Sequence, residues 1–354
     1  MTPSPRSDLN AIGRWLALWA AMIALLVLVG GATRLTESGL SITEWNPVSG
    51  VIPPLGAAAW KEEFAKYRQI PQYQQLNAGM SLAQFKTIFL WEYVHRLWAR
   101  LVGLAMALPL LWFALRRRLP RAVWPRLVSL LVLLGLQGAL GWWMVASGLS
   151  VRTSVSQYRL AAHLALALAL YLWTVWTAAD LLAPPPDTAE RPGAPHQGAL
   201  RAGTFPALAA LLALAFVTAI SGAFVAGLRA GKIYNTFPMM GARLVPAEYG
   251  QLTPFWTNLF ENPAAVQFDH RLLATATVVL VVVLWLALRR TADARLAGRL
   301  RLLGSVALLQ AALGISALLT AVPVWLGVAH QGGALLLLTA ALLALHACPS
   351  ALQP

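Results

Sequence analysis

The sequence predicts an all-α polytopic membrane protein with eight transmembrane helices arranged as two parallel-repeat four-helix bundles. Three observations carry that expectation. Of 354 residues, 58% are hydrophobic and 11% charged, more apolar surface than a soluble core could hide, so lipid must be the solvent. Eight apolar runs, at 13–33, 90–115, 126–146, 158–182, 205–228, 265–289, 300–320 and 323–346, each approach the roughly 20 residues a helix needs to cross a bilayer. They are continuously apolar, not alternating, which excludes a closed barrel. The third observation is that the second four runs repeat motifs of the first.

The first run has a short basic lead, Arg6 and Arg14, but no small-residue cleavage site, and it is too long for a signal-peptide core. It reads as a helix that stays. The long segment 34–89 carries Trp45, Trp60, Phe64, Tyr67 and Tyr73. Its amphipathic stretch 57–68 is expected to lie on the membrane surface as a lid over the N-terminal site, with a contact between copies of the chain as the alternative. Arg116, Arg117, Arg118, Arg121 and Arg126 follow the second run, and Arg289, Arg290, Arg295, Arg299 and Arg301 follow the sixth. By the positive-inside rule these connections face the cytoplasm, as do both termini, while 34–89 and 229–264 face outward.

Residues 183–203, "APPPDTAERPGAPHQGALRAG", read as a cytoplasmic linker between an N-terminal half, 1–182, and a C-terminal half, 204–354. The net charge of +14 sits in the short connections, so it marks orientation and not a nucleic-acid partner. Cys348 is the single cysteine, which excludes an intrachain disulfide and a thiolate metal cluster. No arginine-rich, acid-poor presequence precedes the first run, so a bacterial plasma membrane is expected.

The repeat is visible in detail. "GGATRLTESGLSITEWNPVSG" (30–50) and "SGAFVAGLRAGKIYNTFPMMG" (221–241) pair Gly31 with Gly222, Pro47 with Pro238 and Gly50 with Gly241 at one offset of 191. "QGALG" (137–141) matches "QAALG" (310–314), and "HR" at 95–96 matches 270–271. "AH" at 162–163 matches 329–330. Four helices per half return the chain to the same side, which makes the repeats parallel.

The repeat then places four histidines, His95, His163, His270 and His330, near the outward ends of the even-numbered helices at one depth. Polar side chains at that depth are costly without partners, which points to function, although any one alone could simply cap a helix or bond at the headgroup level. His196, in the linker, and His346, at the far end of the last helix, lack repeat partners and read as structural or solvated. Zinc usually adds thiolate or carboxylate ligands to histidines. Heme supplies its own four equatorial nitrogens and needs only axial ligands, so one site per half is expected. Gly135, Gly138, Gly141, Gly332 and Gly333 would let a flat ring approach the helices, or else serve ordinary tight packing. Arg96 and Arg271, each following a ligand, could reach propionates or act as snorkelling anchors. Glu92 stands opposite Gln267 when His95 is aligned with His270. A carboxylate three residues before a ligand shares its face and suits proton transfer or cation stabilisation; an ion pair with Arg96 is the alternative.

The strings "GLSITEWNPVSGVIPP", "EFAKYRQIPQYQQLN", "FKTIFLWEYVHR", "QGALGWWMVASGL", "YRLAAHLALA", "SGAFVAGLRAGKIYNTFP", "QFDHR" and "VAHQGGALLL" together resemble heme A synthase of the alphaproteobacterial and mitochondrial branch. The resemblance covers nearly the whole chain. It implies oxidation of the C8 methyl of heme O to a formyl group, giving heme A for cytochrome c oxidase biogenesis. His95 and His163 would hold the substrate heme, His270 and His330 a cofactor heme b, and Glu92 would be catalytic. Implied partners are heme O, an electron donor or acceptor whose identity the sequence leaves open, heme O synthase, membrane lipid and a second copy of the chain.

Two departures stand out: the outward cysteine pair of another branch is missing, so thiol redox chemistry has no part here, and "WAR" (98–100) replaces a usual "GR" pair. The competing reading is a bis-histidine diheme cytochrome b that only transfers electrons. A transporter ranks last, since mid-bilayer charges and broken helices are missing from the sequence pattern.

Overall fold

The computed structural model describes residues 5–46, 48–183, 203–290 and 292–348, and among these no strand occurs. In chain order the α-helices are α1 (Pro5–Leu35), α2 (Gly56–Tyr67), α3 (Pro71–Leu76), α4 (Leu82–Leu115), α5 (Trp124–Ala146), α6 (Gln157–Leu182), α7 (Thr204–Gly227), α8 (Asn258–Glu261), α9 (Pro263–Leu288), α10 (Ala294–Leu319) and α11 (Val324–His346). Eight of them, α1, α4, α5, α6, α7, α9, α10 and α11, are long and apolar enough to cross a membrane. The chain is an all-α polytopic membrane protein. The 183–203 linker expected from composition, with His196 inside it, lies outside the described residues except at its two ends.

Helix boundaries follow local chemistry. Helix α4 begins well before residue 90 because Ser81 and Gln84 form a reciprocal capping box, which the polar sequence around them permits and a hydropathy reading overlooks. Asn262 caps α9 by accepting from Ala264 N and Ala265 N, with Pro263 at the first helical position, where its missing N–H costs nothing. Asp293 caps α10 through Leu296 N at 2.7 Å. Inside α4, Pro109 cannot donate to the carbonyl of Ala105, one turn before it. Trp15 of α1 supplies the missing donor, its Nε1 lying 2.8 Å from Ala105 O. Trp19 Nε1 to Val102 O, at 2.9 Å, and Trp98 Nε1 to Met22 O, at 2.9 Å, extend this α1–α4 seam. Internal bonds of this kind matter in lipid, where helices gain little from leaving a solvent as apolar as themselves.

Helices α1, α4, α5 and α6 close one ring of neighbours, and α7, α9, α10 and α11 close another. The rings join through α6 with α7, α1 with α11, and α6 with α11. One difference is pronounced: α9 and α10 pack along each other, while α4 and α5 scarcely touch. Across the junction, Gln331 of α11 donates to Val27 O of α1 at 3.0 Å. Gly31 makes that possible, because a Cβ there would overlap Gln331 Oε1.

At the end bearing the long loops, α2 lies across the start of α4. Tyr67, Ile70, Phe85 and Phe89 are buried there with Leu40 and Val155, and Trp60 meets Phe89 edge-on at 5.0 Å. The amphipathic stretch 57–68 is thus helical over Gly56–Tyr67 and packs on the start of α4. Lys66 ties it down, 2.9 Å from Glu63 and 3.2 Å from Glu44. The hydrogen bond to Glu63 leads the three neighbouring carboxylates in holding the Lys66 ammonium above its ordinary pKa. At the opposite end, Asp180 of α6 accepts from Arg126 at 2.7 Å and pairs with His346 of α11 at 2.8 Å. His346 thus has the structural place expected of it.

Candidate functional site

Four histidines on four helices occupy corresponding places, and each rests on a glycine of a neighbouring helix. A Cβ on Gly30 of α1 would stand 3.1 Å from His95 Nε2, and one on Gly141 of α5 would stand 2.9 Å from His163 Cε1. A Cβ on Gly222 of α7 would stand 3.2 Å from His270 Cε1, and one on Gly314 of α10 would stand 2.7 Å from His330 Cε1. A Cβ at Gly141 or Gly314 would force a shift, and one at Gly30 or Gly222 would need the ring to give by a few tenths of an ångström. The glycine beneath His95 is Gly30, not the Gly31 that the constant offset pairs with Gly222; Gly31 serves the junction with α11. Of the other glycines singled out in the sequence, Gly135 and Gly138 face open space, Gly332 approaches Leu28, and Gly333 meets Gln310 Oε1.

His270 and His330 face each other with ring centroids 6.4 Å apart and planes at 90°. Among the described residues no such ring contact joins His95 to His163, and no group of three or more His, Cys, Asp or Glu forms a metal cluster. A pair of imidazoles with nothing to complete a coordination shell fits a metal that arrives with its remaining ligands, as heme does. It does not fit the tetrahedral protein-built sites of zinc.

The imidazoles differ in what holds them. Ser221 Oγ lies 2.7 Å from His270 Nδ1 and donates to Thr218 O at 2.7 Å. Gln137 Nε2 lies 3.1 Å from His163 Nδ1 and donates to the His163 carbonyl at 3.0 Å. Among the described residues no hydrogen bond reaches the His95 ring. His330 Nδ1 is a buried atom without a hydrogen-bond partner.

Glu92 is 3% exposed and fully engaged. Its Oε1 accepts from Arg96 Nε at 3.0 Å and Nη2 at 2.6 Å. Its Oε2 accepts from Ser41 Oγ at 2.7 Å and Ile42 N at 2.9 Å. Of the two geometries that the spacing allowed, the carboxylate takes the ion pair with Arg96 and reaches the returning loop. Arg96 continues to Ile42 O at 2.8 Å and Glu44 O at 2.9 Å. Arg271 does the same in the other ring, donating to Tyr234 O at 2.8 Å and Thr236 O at 2.9 Å. Gln267 replaces the carboxylate and donates to Tyr234 O at 3.0 Å. Both arginines thus fasten the loop that follows the first helix of their ring. Arg96 also lines a cavity of 80 Å³ with Glu44, Trp45, Trp142, Val145 and Leu149, at the loosely packed α4–α5 boundary. Sequence reasoning missed Ser41 and Ser221, whose roles depend on a chain reversal and a helix rotation that no local motif announces. Asp269, beside His270, accepts from Tyr249 Oη at 3.0 Å, a partner its sequence neighbours do not suggest.

Residues 13–342 match the COX15-CtaA family model, described as cytochrome oxidase assembly protein. The chain belongs to this family. Among its relatives in the COX15-CtaA family, a protein named heme A synthase from Parvibaculum lavamentivorans is 49% identical over 343 residues, covering 96% of each chain. One of the same name from Rhodospirillum centenum is 50% identical over 93% of this chain and 86% of its own. A third, from Rhodopseudomonas palustris, is 51% identical over 95% and 89%.

Proposed function

We propose that this COX15-CtaA family member is a heme A synthase, an oxidoreductase that converts the C8 methyl of heme O to a formyl group through two successive oxidations, by way of the alcohol. The observation that carries the reading is the pair of glycine-seated histidine sites, taken with near-full-length similarity to proteins of that name. His95 and His163 would hold the substrate heme O, and His270 and His330 would hold a resident heme b. When bound, heme b supplies reversible one-electron chemistry to the reaction.

The chain's own residues do the rest. Glu92 carries the fixed negative charge of the N-terminal site, available to stabilise positive charge developing on the substrate or to take its proton. Doing the latter requires it to release one of its four donors. Arg96 and Arg271 hold the loops that roof the two sites and offer guanidinium groups to propionates. Helix α2 and the aromatic layer beneath it exclude water from the substrate end. The two rings are a duplicated four-helix bundle with its axis along the membrane normal. The protein sits in a bacterial inner membrane with both termini in the cytoplasm, receiving heme O from its synthase.

Acid extraction and chromatography of pigments from the purified protein test the reading. Heme O, its hydroxymethyl form or heme A beside heme b supports it; two unchanged b hemes per chain would make the protein a carrier of electrons only.

A further inference from the structure

We propose that Ser221 is a positioning residue that makes the C-terminal site a permanent holder of its heme, and that the lack of an equivalent hydroxyl beside His95 keeps the N-terminal site exchangeable. This rests on the heme assignment made above.

Ser221 carries one hydroxyl hydrogen. Its oxygen is 2.7 Å from both the Thr218 carbonyl and His270 Nδ1. A carbonyl can only accept, so that hydrogen goes to Thr218, and the serine oxygen accepts from Nδ1–H. The proton is thereby fixed on Nδ1, and the Nε2 lone pair stays bare for iron. Second-shell partners of this type orient a ligand and raise its basicity, and their loss typically costs about 10- to 100-fold in affinity.

Among the described residues nothing equivalent exists at His95. Counted from the glycine that seats the ring, the counterpart of Ser221 is Val29; counted by the constant sequence offset, it is Gly30. Neither has a hydroxyl. His163, the other N-terminal ligand, meets the amide nitrogen of Gln137 instead, a donor that offers no acceptor for an Nδ1 proton. A substrate must arrive and a product must leave, so a His95 ring that no hydrogen bond among the described residues holds suits the first site. A resident electron carrier must stay, which suits the second. The contrast is between His95 and His270, since His330 Nδ1 has no partner either.

The experiment uses full-length protein purified with heme b bound and measures the rate of heme transfer to excess apomyoglobin. Ser221→Ala should raise the rate about 10- to 100-fold, while Ser221→Thr, which keeps the hydroxyl, should stay close to wild type. Ser221→Gly removes the same hydroxyl and gives a second reading if the alanine variant folds poorly. A Ser221→Ala or Ser221→Gly rate equal to wild type would overturn the proposal, as would equal heme loss from the threonine variant. His270→Ala, run in parallel, separates the two levels. Retention of heme b there overturns the site assignment itself, whereas its loss beside an unaffected Ser221→Ala overturns only the role of Ser221.

Discussion

Glu37 and Arg229 form an ion pair with Oε2 and Nη2 2.9 Å apart, and each is the left-handed residue that ends the first helix of its ring, at φ 56° and 54°. Corresponding positions of the two rings thus bind each other, which like residues at both places could not do. Arg34 stands beside the pair and donates to Ala226 O at 2.7 Å and Gly227 O at 3.1 Å, covering carbonyls at the end of α7. The pair is over a third exposed, so it contributes below about 1 kcal/mol. Arg229→Glu should lower the thermal midpoint slightly, and adding Glu37→Arg should recover most of the loss; a double variant no better than the single one would deny the pairing.

His270→Ala should strip heme b from the protein and lower its thermal midpoint, since a cofactor bound only to the folded state stabilises by mass action. His95→Ala should leave heme b in place. The pyridine hemochrome of each purified variant reads both outcomes.

The glycine seats make a matched pair of substitutions. A Cβ at Gly314 would lie 2.7 Å from the His330 ring, whereas one at Gly138 meets nothing within 4 Å. Gly314→Ala should displace the imidazole and lower bound heme b, and Gly138→Ala should leave it unchanged. Equal heme content in the two would mean the ring adjusts freely.

Glu92→Gln preserves shape but turns one acceptor into a donor, facing either Arg96 or the Ser41 and Ile42 donors. Heme content should survive, because Gln267 fills the same place in the other ring. Heme A formation should fall about 100- to 10,000-fold if the carboxylate is the proton acceptor. Pigments from cells supplying heme O give the answer: wild-type yields remove the catalytic role, and selective loss of the N-terminal heme makes Glu92 a structural partner of Arg96.

Deleting 57–75 removes α2 and most of α3, with Trp60, Phe64 and Tyr67 from the layer over Phe85 and Phe89. The C-terminal heme should remain and product formation should cease. Unchanged turnover would assign this segment to some other purpose, such as a contact between chains.

Much of this was legible in the sequence. Apolar run length located all eight long helices, and motif order picked out the four histidines. Seats and partners were less legible, because a helix turns about 100° per residue: a one-residue error in alignment selects Gly31, which faces α11, in place of Gly30. The spacing of Glu92 allowed both His95 and Arg96, and only the returning loop, with Ser41 1% exposed, decides between them. Ser221 gave no signal at all, since serine beside small residues is ordinary in membrane helices.

The contact between Gln331 and α1 has a mechanical meaning. Gln331 directly follows His330, and Gly31, against which it presses, directly follows the glycine beneath His95. One contact therefore joins the neighbour of His330 to the neighbour of the glycine under His95. Packed interiors yield by switching between arrangements more readily than by compressing. The residue after His330 and the residue after the His95 seat are thus held at one fixed spacing, and the two histidine sites share a single α1–α11 seam.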